Sequence, residues 1–305
     1  MGNRIIFIVG PTASGKSETA VALAKKINGE IITCDSMQVY KGMDILTAKP
    51  SSGLRKRVRH HLLSVVAPSR EYNVSKYRAD AVKKIKQIIK KGKVPVFAGG
   101  TGLYMSVVVD GIFKTGRIDK GIRKGLYRLA LSRGGNYLFN KLKKVDPEAA
   151  GKIHPNDTKR LIRALEVFEA TGKPISSLQK QRKGLAAAGY DVMIFGLDLD
   201  RGALYERINE RVDKMLKRGL TREVKKLLKV KLSETARFAI GINEIKGYLE
   251  GDYGLDEALD KMKHNSRLYA KRQLTWFRKD KRISWVKVRN NDMPAKVAEM
   301  IMEKF

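Results

Sequence analysis

Cysteine is almost absent from this sequence, since Cys34 is the single thiol among 305 residues. One thiol excludes an internal disulfide framework and a cysteine-rich zinc site. Long apolar runs are also missing, because none approaches the ~20 residues that a membrane-spanning helix needs. The short apolar run at residues 4–9 leads straight into a glycine-rich turn. We therefore interpret it as a buried strand and not as a signal peptide, and expect a cytoplasmic enzyme without membrane segments.

Acidic residues are scarce relative to basic ones. The chain has 31 Asp and Glu against 63 Lys and Arg, which gives a formal net charge of +32. Positive potential raises the rate of encounter with phosphate backbones, so this excess predicts a polyanionic partner. A generally basic, solvated surface would give the same balance. Hydrophobic residues make up 43% of the chain, which is enough to bury a proper core.

A phosphate-binding turn follows the first predicted strand. The segment matches G-x-x-x-x-G-K-[ST] between a strand and a helix, which is the context that this motif requires. Its backbone N–H groups and the helix N-terminus favour an anion, the lysine neutralises a terminal phosphate, and the final serine can hold Mg²⁺. The turn predicts a di- or triphosphate ligand and leaves open which one, so an ATP-dependent kinase is one alternative. Its residues are Gly10, Pro11, Thr12, Ala13, Ser14, Gly15, Lys16 and Ser17.

Apolar strands and amphipathic helices alternate on either side of this turn. Strands are predicted at 4–9, 30–34, 93–98 and 191–197, and helices at 18–27, 75–91 and 255–279. This alternation predicts an α/β fold, a P-loop NTPase-like parallel sheet flanked by helices. The stretch 117–189 has mainly helical periodicity. We therefore expect a catalytic core of residues 1–116 and 190–305, interrupted by a helical insertion of residues 117–189.

Two polar residues directly follow predicted strands. Asp35 comes after the strand at 30–34, and Thr101 comes after the strand at 93–98 and two glycines. Ligands of doubly wound sheets gather at the carboxyl ends of the strands, so both residues should face the same crevice as Lys16. A carboxylate there can coordinate Mg²⁺ or accept a proton from a nucleophile. Both side chains could equally do no more than cap the next turn.

Sequence blocks from Gly10 to Arg278 resemble the bacterial tRNA dimethylallyltransferases, in the order that the family has them. The blocks are 10–17, 34–45, 47–50, 60–62, 72–74, 78–81, 99–104, 154–157, 159–167 and 271–278. A kinase would share only the first of these. One block departs from the family pattern, since the usual Ile-Gly-Tyr-[Lys/Arg]-Glu is Ile-Gly-Ile-Asn-Glu here, with Ile242 and Asn243 in place of an aromatic ring and a cation.

The resemblance implies transfer of a dimethylallyl group from dimethylallyl diphosphate to N6 of the adenosine on the 3′ side of the anticodon. The product would be N6-(dimethylallyl)adenosine in tRNAs that read codons beginning with U. In this family the glycine turn holds the diphosphate with Mg²⁺, for which Ser17 is the expected ligand. The resemblance makes Asp35 the general base, has Thr101 orient the substrate, and has Arg211 contact the diphosphate. From the sequence alone, Arg211 would be one charge of a solvated helix.

The resemblance also implies contacts with tRNA, which would account for the excess of positive charge. The helical insertion would clasp the anticodon stem-loop of tRNA, and a monomer is expected. There are two further alternatives. One is a transferase that acts on free AMP or ADP, which needs no large basic surface. The other is a GTPase-like switch, for which an N-K-x-D segment is missing. The expected contact residues are Asp35, Ser36, Met37, Gln38, Thr101, Arg123, Lys159, Arg160, Leu161, Ile162, Arg163, Lys271, Arg272, Gln273, Thr275, Trp276 and Arg278.

Overall fold

A computed structural model describes residues 3–113, 115–116 and 118–305. Six strands in the described chain form one sheet in the order β3-β2-β4-β1-β5-β6, and every neighbouring pair is parallel. The predicted α/β fold with a parallel sheet is therefore confirmed. The strands are β1 (Arg4–Val9), β2 (Gly29–Thr33), β3 (His60–His61), β4 (Val94–Gly99), β5 (Asp191–Leu199) and β6 (Ile283–Val288).

Thirteen helices are described besides short 3₁₀ turns. They are α1 (Lys16–Lys26), α2 (Ser52–Arg57), α3 (Val74–Ile89), α4 (Gly102–Val109), α5 (Lys120–Val145), α6 (Pro147–Ala150), α7 (Thr158–Thr171), α8 (Ile175–Lys180), α9 (Arg201–Lys217), α10 (Leu220–Leu227), α11 (Ile242–Glu250), α12 (Leu255–Phe277) and α13 (Pro294–Met302). Among the described helices, none combines the length and the apolar character needed to cross a bilayer.

Helices cover both faces of the sheet, because its strands are apolar on both sides. Along β1, Phe7 belongs to one buried cluster and the neighbouring Ile6 to the other. Phe7 stacks on Phe97 of β4 with ring centroids 4.3 Å apart. Strands buried on both faces read as continuous apolar runs, which is why the sequence revealed β1, β2, β4 and β5.

The two edge strands were not predicted from the sequence. β3 has only two residues, and β6 alternates between buried and exposed positions, as Ile283, Ser284 and Val286 show. A helix predicted to begin at residue 18 begins at Lys16, and the last long helix ends at Phe277 and not at residue 279. Edge strands are short or half-exposed and give a weaker signal than central ones.

The chain divides into two compact units, Met1–Val109 with Leu185–Phe305, and Asp110–Gly184. The second unit contains α5 to α8, which share a core that includes Leu138, Leu142 and Leu165. Within α5 the backbone breaks at Gly134, where φ is 78°. This unit begins and ends several residues before the predicted insertion of 117–189, and Arg117 lies outside the described residues.

Candidate active site

The glycine turn connects β1 to α1, as predicted. Gly10 and Gly15 have φ values of 144° and 85°, which side-chain-bearing residues rarely adopt. A Cβ on Gly10 would also lie 3.0 Å from the Leu197 carbonyl oxygen. The turn therefore depends on both glycines, and it leaves the N-terminus of α1 directed at the crevice.

Several cations line this crevice, among them Lys16 of the turn and Arg211 of α9. Burial, reinforced by repulsion from Arg211, lowers the pKa of Lys16 to about 8, while Asp35 and Glu18 oppose the shift. Burial also lowers the pKa of Arg211, again opposed by the same two carboxylates. Desolvated cations gain more from a bound anion than solvated ones do, which suits this crevice to a diphosphate.

The Arg211 guanidinium reaches both sides of the crevice. Its Nη1 donates to Thr12 Oγ1 at 3.0 Å, and its Nη2 lies 3.4 Å from the Thr47 carbonyl oxygen. Lys16 Nζ donates to the Pro11 carbonyl oxygen at 2.5 Å. Protein oxygens therefore hold both cations at the mouth of the turn. One of the two cations, Arg211, comes from α9, which is far from the turn in sequence.

Asp35 and Thr101 lie together at the carboxyl ends of β2 and β4. Asp35 Oδ1 accepts the backbone N–H groups of Met37 at 2.8 Å and Gln38 at 3.2 Å. Thr101 Oγ1 accepts the Ser36 N–H at 3.0 Å. Both side chains thus cap the chain after β2, the simpler of the two roles that the sequence left open. Asp35 nevertheless lines the crevice as well, so capping and a chemical role are compatible.

Two cavities meet at Asp35. The first, of about 450 Å³, includes the glycine turn with Lys16 and Ser17. The second, of about 340 Å³, is largely apolar, with Ile208 and Met262 among its walls. The residues that line both cavities are Thr12, Asp35, Arg211, Met215 and Tyr269. A charged compartment and an apolar compartment therefore share a wall that contains a carboxylate.

Close packing of α12 against the glycines after β4 completes the site. Gln273 Nε2 donates to the Gly100 carbonyl oxygen at 2.8 Å, and its Oε1 accepts the Thr12 N–H at 2.8 Å. A Cβ on Gly100 would lie 2.1 Å from Gln273 Nε2, and one on Gly102 would lie 2.2 Å from Trp276. Gln273 is buried and bridges two loops of the site. These two hydrogen bonds explain its position without the predicted contact with tRNA.

Tyr269 is a site residue that was not predicted from the sequence. It lines both cavities, and burial, together with the charge of Asp35, raises its pKa to about 12. In the sequence it stands seven residues from Met262 and from Trp276, a spacing typical of one packed face of a helix. Heptad spacing does not distinguish an aromatic ring that packs from one that lines a cavity.

The departure at 242–243 has a structural counterpart. Ile242 is buried in the core, whereas Asn243 is exposed. Just before them, Phe238 is 58% exposed and lines the apolar cavity together with Ile240. The chain thus places an aromatic ring close to the segment where the family pattern loses one.

The remaining predicted contact residues of α12 lie on its exposed side. They are Lys271, Arg272, Thr275, Trp276 and Arg278. Arg278 Nη2 lies 3.4 Å from Asp198 Oδ1, and the Trp276 ring is 40% exposed. These positions are accessible to a large partner, and contact with tRNA stays a prediction for each of them.

In the Asp110–Gly184 unit, one buried carboxylate organises two of the predicted contacts. Glu166 accepts from Arg123 Nε and Nη2, both at 2.8 Å, and from Arg163 Nη1 at 2.7 Å. Burial opposes ionisation, but these hydrogen bonds lower the pKa of Glu166. Lys159 and Arg160 are exposed on α7. Leu161 and Ile162 are buried in the core, so their side chains do not face a partner.

Magnesium fits this site only as an ion that the substrate itself helps to hold. Within the described ranges, no three His, Cys, Asp or Glu side chains are grouped closely enough to hold a metal. Mg²⁺ commonly takes one or two protein oxygens and completes its shell with phosphate oxygens and waters. The Ser17 hydroxyl and the Asp35 carboxylate both line the charged cavity, so the donor set is suitable.

Comparison with known proteins identifies the family. The model of the family described as IPP transferase matches residues 38–280. The chain belongs to the IPP transferase family. It is 50% identical over 287 residues to the tRNA dimethylallyltransferase of Carboxydothermus hydrogenoformans, covering 93% of this chain and 92% of that one. It is 45% identical to the tRNA dimethylallyltransferase of Alkaliphilus oremlandii, over 100% and 98% of the two chains.

Solved structures of IPP transferases and their relatives are similar over nearly the whole chain. The full-length tRNA isopentenylpyrophosphate transferase of Bacillus halodurans has a TM-score of 0.72 and 41% identity, covering 99% of this chain and 96% of that one. A eukaryotic dimethylallyltransferase acting on tRNA has a TM-score of 0.78 and 30% identity, covering 93% and 74%. The resemblance found from the sequence blocks is thus confirmed.

Proposed function

We propose that this chain transfers the dimethylallyl group of dimethylallyl diphosphate to N6 of the adenosine 3′-adjacent to the anticodon of tRNA. The observation that carries the proposal is the position of Asp35, which lines both a cationic and an apolar cavity. The names of the relatives, tRNA dimethylallyltransferases of similar length, support the same activity. An ATP-dependent kinase would share only the glycine turn, whereas the family match covers residues 38–280.

The charged cavity would receive the diphosphate. Lys16, Arg211 and the amides of the turn 10–17 are the groups that we expect to stabilise it as negative charge develops on the leaving group. Mg²⁺, held by Ser17 and the diphosphate oxygens, would supply further positive charge when bound. The partial desolvation of Lys16 supports this role, because a cation without a water shell interacts strongly with an incoming anion.

The apolar cavity would hold the isoprenoid chain and the adenine ring next to it. Its walls exclude water from the reacting carbon, which favours transfer to the amine over hydrolysis. Tyr269 lines the cavity with Asp35, and Thr101 is hydrogen-bonded to the neighbouring Ser36, so both are placed to orient the base. The neutral phenol of Tyr269 can donate a hydrogen bond to a ring nitrogen without adding charge.

The chemical step needs a base because the exocyclic amine of adenine is a poor nucleophile. The N6–C bond forms as the C–O bond to diphosphate breaks, and diphosphate leaves with the electron pair. Asp35 accepts the N6 proton in this step. A carboxylate within ~3 Å of N6 suits that transfer, and such bases contribute about 10²–10⁴-fold to a rate.

Binding of tRNA would rely on the exposed cations and on removal of the target base from its stack. Unstacking a base requires a few kcal/mol, which phosphate contacts elsewhere must offset. We propose that α12 and the Asp110–Gly184 unit supply those contacts, with Arg123 and Arg163 fixed in place by Glu166. We propose a monomer that works in the cytoplasm, where its RNA substrate occurs.

An acceptor competition tests the proposal. The chain is incubated with Mg²⁺, labelled dimethylallyl diphosphate and either tRNA or AMP, and incorporation into each is measured. We expect label in tRNA, released by nuclease as N6-(dimethylallyl)adenosine, and little label in AMP. Label in AMP alone would instead indicate a nucleotide transferase. Failure to label either, combined with phosphate transfer from ATP, would refute prenyl transfer.

A further inference from the structure

A single helical turn at residues 44–48 forms part of the cavity wall. The turn is closed by hydrogen bonds from the Ala48 N–H to the Ile45 carbonyl at 2.9 Å and from the Lys49 N–H to the Asp44 carbonyl at 3.0 Å. Ala48, with φ of 44°, ends it. The N–H groups at the start of such a turn have no acceptor within it and must find one elsewhere.

Glu223 of α10 supplies that acceptor. Its carboxylate accepts the N–H of Asp44 at 3.0 Å, of Ile45 at 2.9 and 3.0 Å, and of Leu46 at 2.8 Å. An anion at the N-terminus of a helical turn is strongly favoured, and charge-assisted hydrogen bonds of this kind are stronger than neutral ones. Here the anion comes from a helix almost 180 residues further along the chain.

A buried cation that Glu223 helps to keep charged directly follows the turn. Lys49, with a side chain only 2% exposed, donates to Asp44 Oδ1 at 2.7 Å and to the Tyr40 carbonyl at 2.5 Å. Burial lowers the pKa of Lys49, and the nearby charges of Asp44 and Glu223 oppose that shift. The carboxylate of Glu223 thus supports the turn both by hydrogen bonding and by charge.

The 44–48 turn positions groups of the candidate active site. Leu46 and Thr47 line the apolar cavity, and Ala48 lines the charged one. The Thr47 carbonyl accepts from Gln38 Nε2 at 3.1 Å and lies 3.4 Å from Arg211 Nη2. Arg211 is on α9, which lines both cavities and immediately precedes α10. Glu223 therefore ties the turn to the helix that follows this wall.

We propose that Glu223 is a positioning residue that fixes the 44–48 turn against α9 and α10, and through the Thr47 carbonyl sets the position of Arg211 toward the diphosphate. This inference rests on the proposed function, because the diphosphate is its presumed ligand. Glu223 itself does not line either cavity. Its effect should therefore be on binding of the diphosphate substrate and not on binding of tRNA.

The test is Glu223→Gln, which keeps the size of the side chain and removes its charge and one strong acceptor. We expect the KM for dimethylallyl diphosphate to rise at least fivefold and the Kd for tRNA to change less than twofold. The dissociation constant of inorganic diphosphate in Mg²⁺, measured by calorimetry, should rise in parallel. Faster amide exchange at residues 44–46 should accompany it. Glu206→Gln, at an exposed position of α9, is the matched control.

A loss of thermal stability with unchanged KM and unchanged diphosphate binding would overturn the inference, since it would show a purely structural carboxylate. If Glu223→Gln does not fold, Glu223→Asp replaces it. The shorter carboxylate should raise the same KM two- to threefold, and an unchanged KM again overturns the inference. Failure of the unaltered chain to transfer the prenyl group would refute the proposed function instead, and calorimetry with diphosphate would still decide the role of Glu223.

Discussion

The cations of the crevice and the cations of the surface differ in what surrounds them. Lys16 and Arg211 are desolvated, face Asp35 across the crevice and have lowered pKa values. Lys271 is exposed to solvent on α12 and lines neither cavity. A desolvated charge at a fixed position contributes strongly and locally to binding, whereas exposed charges act together and are screened by salt. The net charge of +32 thus combines two kinds of cation with different functions.

Removing the carboxylate that faces the two half-buried cations should have the largest effect. Asp35→Asn keeps an oxygen for the N–H groups of Met37 and Gln38 but cannot accept a proton. We expect turnover to fall about 10²–10⁴-fold, the range lost with a general base. Single-turnover transfer to tRNA measures it, and the Kd for tRNA should stay within a few-fold. Prenylation by Asp35→Asn at a near-normal rate would refute the assignment of the base.

The pH dependence of diphosphate binding should distinguish the half-buried cations of the crevice from the exposed ones. With a pKa of about 8, Lys16 loses its proton in the free protein above that pH. Affinity for diphosphate should then fall toward tenfold per pH unit above 8, as measured by calorimetry. Lys16→Met should bind weakly at all pH values between 7 and 9. A wild-type affinity that is flat across this range would show that the protonated lysine is not needed.

The same group links pH to stability with a definite sign. The unfolded chain retains the Lys16 proton up to a pKa of 10.5, whereas the folded chain releases it near 8. Between these values the unfolded state binds more protons, so this group makes the free energy of unfolding rise with pH. In denaturant titrations between pH 8 and 10.5, the free energy of unfolding should rise more with pH for the wild type than for Lys16→Met.

The smallest effect is expected at the exposed cations taken one at a time. Lys271→Glu should weaken tRNA binding a few-fold and lower the slope of log K against log salt by about one, as expected for loss of a phosphate contact. Affinity for dimethylallyl diphosphate should be unchanged. Lys25→Glu, at the far end of α1, makes the same change in charge as a control. If both variants weaken tRNA binding equally, the surface charge attracts tRNA only nonspecifically and Lys271 makes no specific contact.

Much of the site could be predicted because its residues are local in sequence. The glycine turn identifies itself through the strand before it and the helix after it, and Asp35 follows a continuous apolar strand. A parallel sheet brings the ends of such strands to one edge, so the crevice follows from the pattern. The predicted boundaries of the insertion differ from those of the Asp110–Gly184 unit. Helical periodicity continues across the positions where one unit ends and the other begins, so it does not mark them.

Other parts of the site could not be predicted, because they depend on contacts between distant residues. Gln273 is a buried bridge although its neighbours Lys271 and Arg272 are exposed. Tyr269 had the heptad spacing of a core residue. Glu223 occupies the first turn of α10, where an acidic residue is ordinary. In each case the side chain took its role from a partner more than a hundred residues away in sequence.

The sequence by itself determined the α/β class, the phosphate turn and the two polar residues at the strand ends, because period and local spacing encode them. Only the tertiary structure decided which cations are desolvated, where the apolar cavity opens and which carboxylates act as supports. Burial and hydrogen bonding between remote segments are properties of the packed chain. A pattern along the sequence records which residues are available, and packing decides which of them meet.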